Sequence, residues 1–406
     1  MPVTQILSWL ILGVVGLLAL PVLYLCIVSI AATLDTKRRK QKTVAYPPPR
    51  ARFAILIPAH DELAVLGTLL DNLAGLHYPK NLYSVHVVAD NCTDTTADLA
   101  RSRTGVNVHE RFDKDKRGKG YALNWLLGQL KNARLKFDAY VILDADSVVD
   151  PSFLLAMNRE LLQGARALQG RYTVLNATES PSAALRWIAL SLMNHVRQLG
   201  RNGIGGSSAL AGNGMCFSYD LLEEHPWRAF SLIEDYEYYL ELVEHGERIV
   251  YVPDAVVSAI MPTTLAQMQT QEIRWSGSGA SQPVRQTVWM LFRSGARNAD
   301  FVRLEAIAEI LTPPLSFLLT WCLLALIGSL LLGSLAGAYI SLILTAGVFY
   351  YIGTGIYLLR PPRKVYMALL HAPRFVLWKL WVLLVLKRRK KNTGEWIRTS
   401  RTASEP

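Results

Sequence analysis

The chain has 406 residues, enough for one large soluble domain plus a membrane region, and 51% of them are hydrophobic. With a mean hydropathy of +0.21, membrane segments are expected. The net charge of +11 is concentrated in three basic runs beside apolar stretches: Lys37-Arg38-Arg39-Lys40, Arg360-Pro361-Pro362-Arg363-Lys364 and Lys387-Arg388-Arg389-Lys390-Lys391. That placement marks a cytoplasmic membrane face and membrane-lipid partners. No nucleic-acid partner is expected, since that needs basic residues spread over one folded face with a binding motif. Four cysteines without paired spacing and eight histidines without metal-ligand spacing exclude a disulfide framework and a zinc site. The soluble part reads as cytosolic.

Residues 6–32 are almost wholly apolar, longer than the ~20 residues that cross a bilayer. No basic side chain precedes them and a basic run follows, so they form an anchor (residues 1–36) and not a cleaved signal. Positive charge then puts the N-terminus outside and the following chain inside. A stiff basic and Pro-rich linker covers 37–52.

From 53 to about 251, short β-rich runs alternate with helical patterns. Strands are expected at 53–57, 83–88 and 139–143, a helix at 62–76, and a strand at 215–218. The rhythm predicts an α/β domain over 53–280: a mostly parallel mixed sheet with helices on both faces, and a ligand beyond the C-terminal strand ends. Polar clusters follow those ends: His60-Asp61-Glu62, Asp90-Asn91 and Asp144-Ala145-Asp146. Amphipathic interfacial helices are expected over 281–310 and a transmembrane hairpin over 311–360, opened by Pro313-Pro314. Residues 361–391 read as an interfacial or re-entrant helix, because a crossing there would leave the last basic run outside. A basic tail, 392–406, ends the chain. Three crossings result, with a fourth open.

Asp144 and Asp146 stand two residues apart after an apolar strand. Such a pair can hold a hard divalent cation, Mg2+ or Mn2+, that also takes diphosphate oxygens; a solvated turn is the plain alternative. Asp94 or Thr93 can cap the helix after Asp90, which leaves Asp90 free for a ligand. Lys119 and Gly120, in Lys116-Arg-Gly-Lys-Gly120 at a helix start, suit a diphosphate, or else form a basic surface turn. Gly212 and Asn213 let backbone come close to a sugar, or form a turn. Glu234-Asp235 offers a carboxylate for proton abstraction, or two acids at a helix N-terminus. Gln271, Arg274 and Trp275 fall within about one helical turn; Arg can clamp diphosphate and Trp can carry an acceptor.

In this order, Asp144-Ala-Asp146, Glu234-Asp235 and Gln271-Glu-Ile-Arg274-Trp275 resemble the membrane glycosyltransferases of family 2, the group of cellulose, chitin and hyaluronan synthases and ceramide glucosyltransferase. The resemblance runs from 53 to 275. It implies a GT-A fold with transmembrane helices on both sides of the sheet. It implies an inverting transfer from a nucleotide-sugar, a UDP-sugar above all, to a lipid or polysaccharide acceptor. A single transfer and processive synthesis with export both fit, and an inactive scaffold is the reading of another class. Asp235 would be the general base. Pro58, Ala59, Asp61 and Glu62 would border the nucleoside, and Asp90 would bond the uracil. Lys119, Gly120, Asp144, Gln271, Arg274 and Trp275 would complete the donor site. Gly212, Asn213, Glu234 and Trp275 would line the acceptor. Trp396-Ile-Arg398 would fold back as a gate. The implied setting is a bacterial inner membrane.

Overall fold

A computed structural model describes residues 3–41, 46–261, 263–264 and 284–382. Eight strands form one sheet: β1 (Phe53–Ala59), β2 (Tyr83–Asp90), β3 (Val106–Arg111), β4 (Ala139–Ile142), β5 (Ser147–Val149), β6 (Ala167–Val174), β7 (Met215–Ser218) and β8 (Ile249–Ala259). Their order is β3-β2-β1-β4-β7-β6-β8-β5. The β3-β2-β1-β4 half is parallel, as its helix-separated apolar runs require. β7 then enters antiparallel between β4 and β6, β6 and β8 pair in parallel, and β5 closes the edge antiparallel to β8. The sheet is the mixed one expected, with the GT-A arrangement. β6 and β8, in the second half, did not stand out as strands, because their alternation is interrupted by polar residues such as Gln169, Arg171 and Asp254.

The helices are α1 (Val3–Gln41), α2 (Leu63–Ala74), α3 (Thr96–Arg101), α4 (Lys119–Asn132), α5 (Phe153–Leu162), α6 (Pro181–Ser191), α7 (Gln198–Gly203), α8 (Tyr219–Glu224), α9 (Glu234–Glu244), α10 (Val284–Asn298), α11 (Phe301–Leu311), α12 (Leu315–Leu331), α13 (Leu335–Leu359), α14 (Arg363–Ala368) and α15 (Ala372–Trp381). Leu66, Leu69, Leu70 and Leu73 of α2 pack with α5 on one sheet face. Leu123 and Leu126 of α4 pack with Tyr238, Tyr239 and Leu242 of α9 on the other. Spacing of three and four residues aligns each apolar stripe with the sheet.

A third core joins α1, α6, α7, α12, α13 and α14. Among the described residues two helices, α1 and α13, are long and apolar enough to cross a membrane. The expected span at 314–332 is a 17-residue helix, α12, bent by 64° from α11. It counts as a crossing only together with α11, because Thr312-Pro313-Pro314 breaks the pattern. Between Arg363 and Trp381 the chain forms short helical pieces, none long enough to cross.

Buried charge ties helices of this core to those on the sheet face. Arg201 of α7 is 0% exposed and meets Glu305 of α11 through Nε and Nη2, at 2.7 and 3.0 Å. The same guanidinium donates to Tyr239 Oη of α9 at 2.9 Å, and Tyr24 of α1 donates to Glu305 at 2.6 Å. Arg197 pairs with Glu309 at 3.1 Å. Four helices thus share one charged cluster, in which losing one partner would strand a buried charge.

α1 crosses α7 at Gly200, where a Cβ would overlap the Val28 backbone. Helix propensity alone makes Gly→Ala stabilising by ~1 kcal/mol. Here Gly200→Ala is expected to lower the melting temperature of the full-length protein in detergent. A raised melting temperature would show that α1 does not pack so closely.

Candidate functional site

The C-terminal ends of β1, β2 and β4 open on one edge of the sheet. At the end of β4, Asp144 O accepts the Ser147 N–H at 3.1 Å, so Asp144-Ala-Asp-Ser147 is a tight turn leading into β5. Asp144 and Asp146 are both partly exposed on it. Beneath the turn lies Asn213, fully buried. Its Oδ1 accepts the Asp144 N–H at 3.2 Å and its Nδ2 donates to Ser147 Oγ at 2.8 Å. Asn213 therefore braces the turn from below and does not line the acceptor side, because both ends of its amide are used.

Lys119, in the first turn of α4, reaches this turn. Its Nζ lies 2.7 Å from Asp144 Oδ1 and 3.3 Å from Glu234 Oε1, and it donates to the Gly212 carbonyl. Burial disfavours the ammonium, but Asp144, then Glu234, outweigh it and raise its pKa. Glu234 and Asp235 open α9. Burial pushes both carboxyls above the ordinary range, and the Lys119 charge opposes the rise. The two acids differ in access. Glu234 is 8% exposed and held by Lys119, whereas Asp235 is only half-buried. Asp235 Oδ1 accepts the Tyr236 N–H at 2.8 Å, and a methyl group on Gly212 would come within 3.1 Å of its Oδ2. Gly212 sits at φ +72° and Gly214 at +71°, a conformation that glycine takes without strain.

Gln169 of β6 holds this glycine loop. Its Nε2 donates to Asn213 O at 2.8 Å and its Oε1 accepts the Ala211 N–H at 2.9 Å. Gly120 is buried too; a Cβ there would overlap the Ala229 carbonyl, so it sets the spacing of α4 against the segment before α9.

On the β1–β2 side, Asp61 and Asn91 adopt left-handed backbone at φ +53° and +52°. Asp61 accepts the Thr93 N–H at 2.6 Å, the Thr93 hydroxyl at 2.9 Å and the Asp94 N–H at 3.1 Å. Burial acts against its charge, but these bonds outweigh it and lower its pKa. Asp61 thus joins the two loops, while Glu62 takes the N-cap position of α2. Pro58 and Ala59 end β1, with Ala59 buried. Thr95, and not Asp94 or Thr93, takes the N-cap position of α3, while Asp94 accepts the Thr96 N–H at 2.9 Å.

That does not leave Asp90 free. Arg111, at the end of β3, donates to Asp90 Oδ1 at 2.5 Å, and Asn91 adds a bond at 3.0 Å. Asp90 is 6% exposed and Arg111 5%, and a buried carboxylate of this kind needs a countercharge. Burial raises the Asp90 pKa even so, with Arg111 opposing. Arg111 also donates to Lys116 O at 2.7 Å and so ties the Lys116–Gly120 loop to β2. Arg111 and Gln169 are the residues that sequence reasoning missed. The available signal was a long polar side chain inside or ending an otherwise apolar strand. Gln271, Arg274, Trp275, Trp396 and Arg398 lie outside the described residues.

The family profile described as "Glycosyltransferase like family 2" matches residues 48–278, more than half of the chain. The chain is 28% identical over 235 residues to a beta-monoglucosyldiacylglycerol synthase of Nostoc sp., a match covering 56% of this chain and 48% of that protein. It is 23% identical over 258 residues to glucomannan 4-beta-mannosyltransferase 7 of Arabidopsis thaliana, covering 59% and 44%. It thus spans about half the length of these curated relatives. A mannosyltransferase from Pyrobaculum calidifontis, solved with GDP-Man and Mn2+, is similar at a TM-score of 0.49 and 18% identity, covering 84% of this chain and 99% of that one. On the match over 48–278, the chain belongs to the glycosyltransferase family 2.

Proposed function

We propose that this protein is a membrane-bound inverting glycosyltransferase that moves a sugar from a nucleotide-sugar, a UDP-sugar, to a hydroxyl of a lipid or glycan. The observation that carries this is the meeting of Asp144, Lys119, Glu234 and Asp235 around the Gly212 loop at the C-terminal edge of the sheet. Family membership supports the same reaction class.

Three carboxylates there share one ammonium group. Such a surplus of hard oxygen donors beside a turn with two partly exposed aspartates fits a divalent cation. Asp144 and Asp146 would hold it, as Mg2+ or Mn2+. When bound, it neutralises diphosphate charge.

Asp235 is the base in this reading, because it is the less buried of the pair and Glu234 is paired with Lys119. Its carboxylate takes the proton of the acceptor hydroxyl as that oxygen bonds to the anomeric carbon. The bond from that carbon to the diphosphate breaks on the opposite face, and the nucleoside diphosphate leaves with the electron pair. Lys119 faces the leaving group. Arg274, with Gln271 and Trp275, is assigned to the same task on its sequence alone. Glu234, buried against Lys119, keeps the ammonium in place. Asp61, Asp90 and Arg111 shape the nucleoside end, with Pro58, Ala59 and Glu62 at its border. The catalytic unit would lie on the cytoplasmic side, with α1 and α13 as crossings.

Asp235→Asn is expected to lower kcat by ~10²- to 10⁴-fold with donor affinity unchanged, read as nucleotide release by the full-length protein with acceptor lipids present. Glu234→Gln should retain more activity than Asp235→Asn. Full turnover in Asp235→Asn would remove the base assignment. Chelation with EDTA is expected to abolish release and weaken donor binding, with recovery on adding Mn2+ or Mg2+. Asp146→Asn should show the same donor-binding defect while melting as wild type does. Undiminished donor binding in EDTA would contradict the metal assignment.

A further inference from the structure

The strand that holds the catalytic loop carries two more polar side chains on the same face. Alternation along β6 places Gln169, Arg171 and Thr173 together. Tyr251, the register partner of Gln169 on β8, belongs to that face as well. Between Gly170 and Arg171 the β6–β8 register shifts, a feature that re-aims side chains. Arg171 Nε and Thr173 Oγ1 are both buried, and neither has a hydrogen-bond partner among the described residues. No carboxylate among those residues pairs with Arg171. A partly desolvated guanidinium left this way is costly unless a ligand completes it.

The surroundings favour an anion. Tyr251 Oη lies 2.7 Å from His195 Nδ1, and Arg171 and Arg39 both act electrostatically on this pair. Burial first, then Arg171 and Arg39, pushes the His195 imidazole down to about 3, so it is neutral and can offer or accept a hydrogen bond. Of the acids nearby, Asp35 is engaged by Arg39 at 2.6 Å and Asp254 by Arg159 at 2.9 Å. His195 sits in a π-helical turn, Leu192–Arg197, between α6 and α7. Such turns are frequent at functional sites. The location also suits a lipid, because Arg39 stands in the last turn of α1, the long apolar helix.

We propose that Arg171, backed by Thr173 and His195, is an acceptor subsite for an anionic group: the phosphate of a membrane-lipid headgroup. It builds on the Asp235 site of the preceding subsection. Arg171 stands two residues, about 7 Å, along β6 from Gln169. Gln169 in turn holds the loop against Asp235. One headgroup can therefore place its phosphate at Arg171 and its hydroxyl at the base.

The test is equilibrium binding to the full-length protein in nonionic detergent. The probes are dioctanoyl-phosphatidylglycerol, glycerol 1-phosphate, dioctanoylglycerol and UDP, against wild type, Arg171→Gln, Arg171→Lys and Thr173→Val. Arg171→Gln is expected to weaken dioctanoyl-phosphatidylglycerol at least 10-fold and to leave UDP unchanged. Arg171→Lys should recover part of the loss, and Thr173→Val should lose several-fold. Unchanged UDP binding also shows that the variants fold. Tighter binding of the lipid than of glycerol 1-phosphate supports a lipid source; equal binding, lost together in Arg171→Gln, supports the phosphate site with a soluble ligand. Wild-type affinity for both phosphates in Arg171→Gln, equal affinity for dioctanoylglycerol, or a loss that falls on UDP would overturn the proposal. Because binding is read without turnover, an inactive wild type would count against the transferase reading and not against this subsite.

Discussion

The site depends on one ammonium group. Lys119 Nζ, placed by the first turn of α4, pairs with Asp144 at the end of β4 and with Glu234 at the start of α9, and bonds the Gly212 carbonyl. Three segments far apart in the chain are fixed by a cation that a partly buried cleft makes strong. Without it, Glu234 would be a buried carboxylate with no countercharge beside Asp235. The price of this arrangement is a surplus of negative charge, and that surplus suits a reaction whose donor arrives with a divalent cation.

The same helix that carries Asp235 is anchored at its next turn. Tyr239 bonds Arg201, which is salt-bridged to Glu305, which takes the Tyr24 hydroxyl of α1. A charged network thus runs from the long apolar helix to within four residues of the proposed base. Buried networks of this kind fix geometry more reliably than they add stability. α1 and α9 are therefore tied to each other through Arg201 and Glu305.

Much of this was legible in the sequence where the signal is local. The apolar run of β4 followed by Asp144-Ala-Asp146, and Glu234-Asp235 opening a helical pattern, could be read because strand end and helix start lie next to the residues concerned. The parallel half of the sheet followed from its alternation with helices. The supports could not be read so easily. Asn213 under the Asp144 turn, Gln169 on the glycine loop and Arg111 on Asp90 act across long sequence separations, and nothing local says whether a polar residue near a site faces the ligand or holds the wall. That is why Asn213 was expected on the acceptor side and Asp90 was expected to be free. The 314–332 span was read by hydropathy, which does not register the bend that two prolines impose between α11 and α12.

The central claim is single displacement at one accessible carboxylate. Asp235 is half-buried, whereas Glu234 is buried and paired with Lys119. The most direct measurement is the anomeric configuration of the product formed from an α-linked UDP-sugar, read by proton NMR. A β-linked product is predicted. An α-linked product would mean retention and would contradict the account.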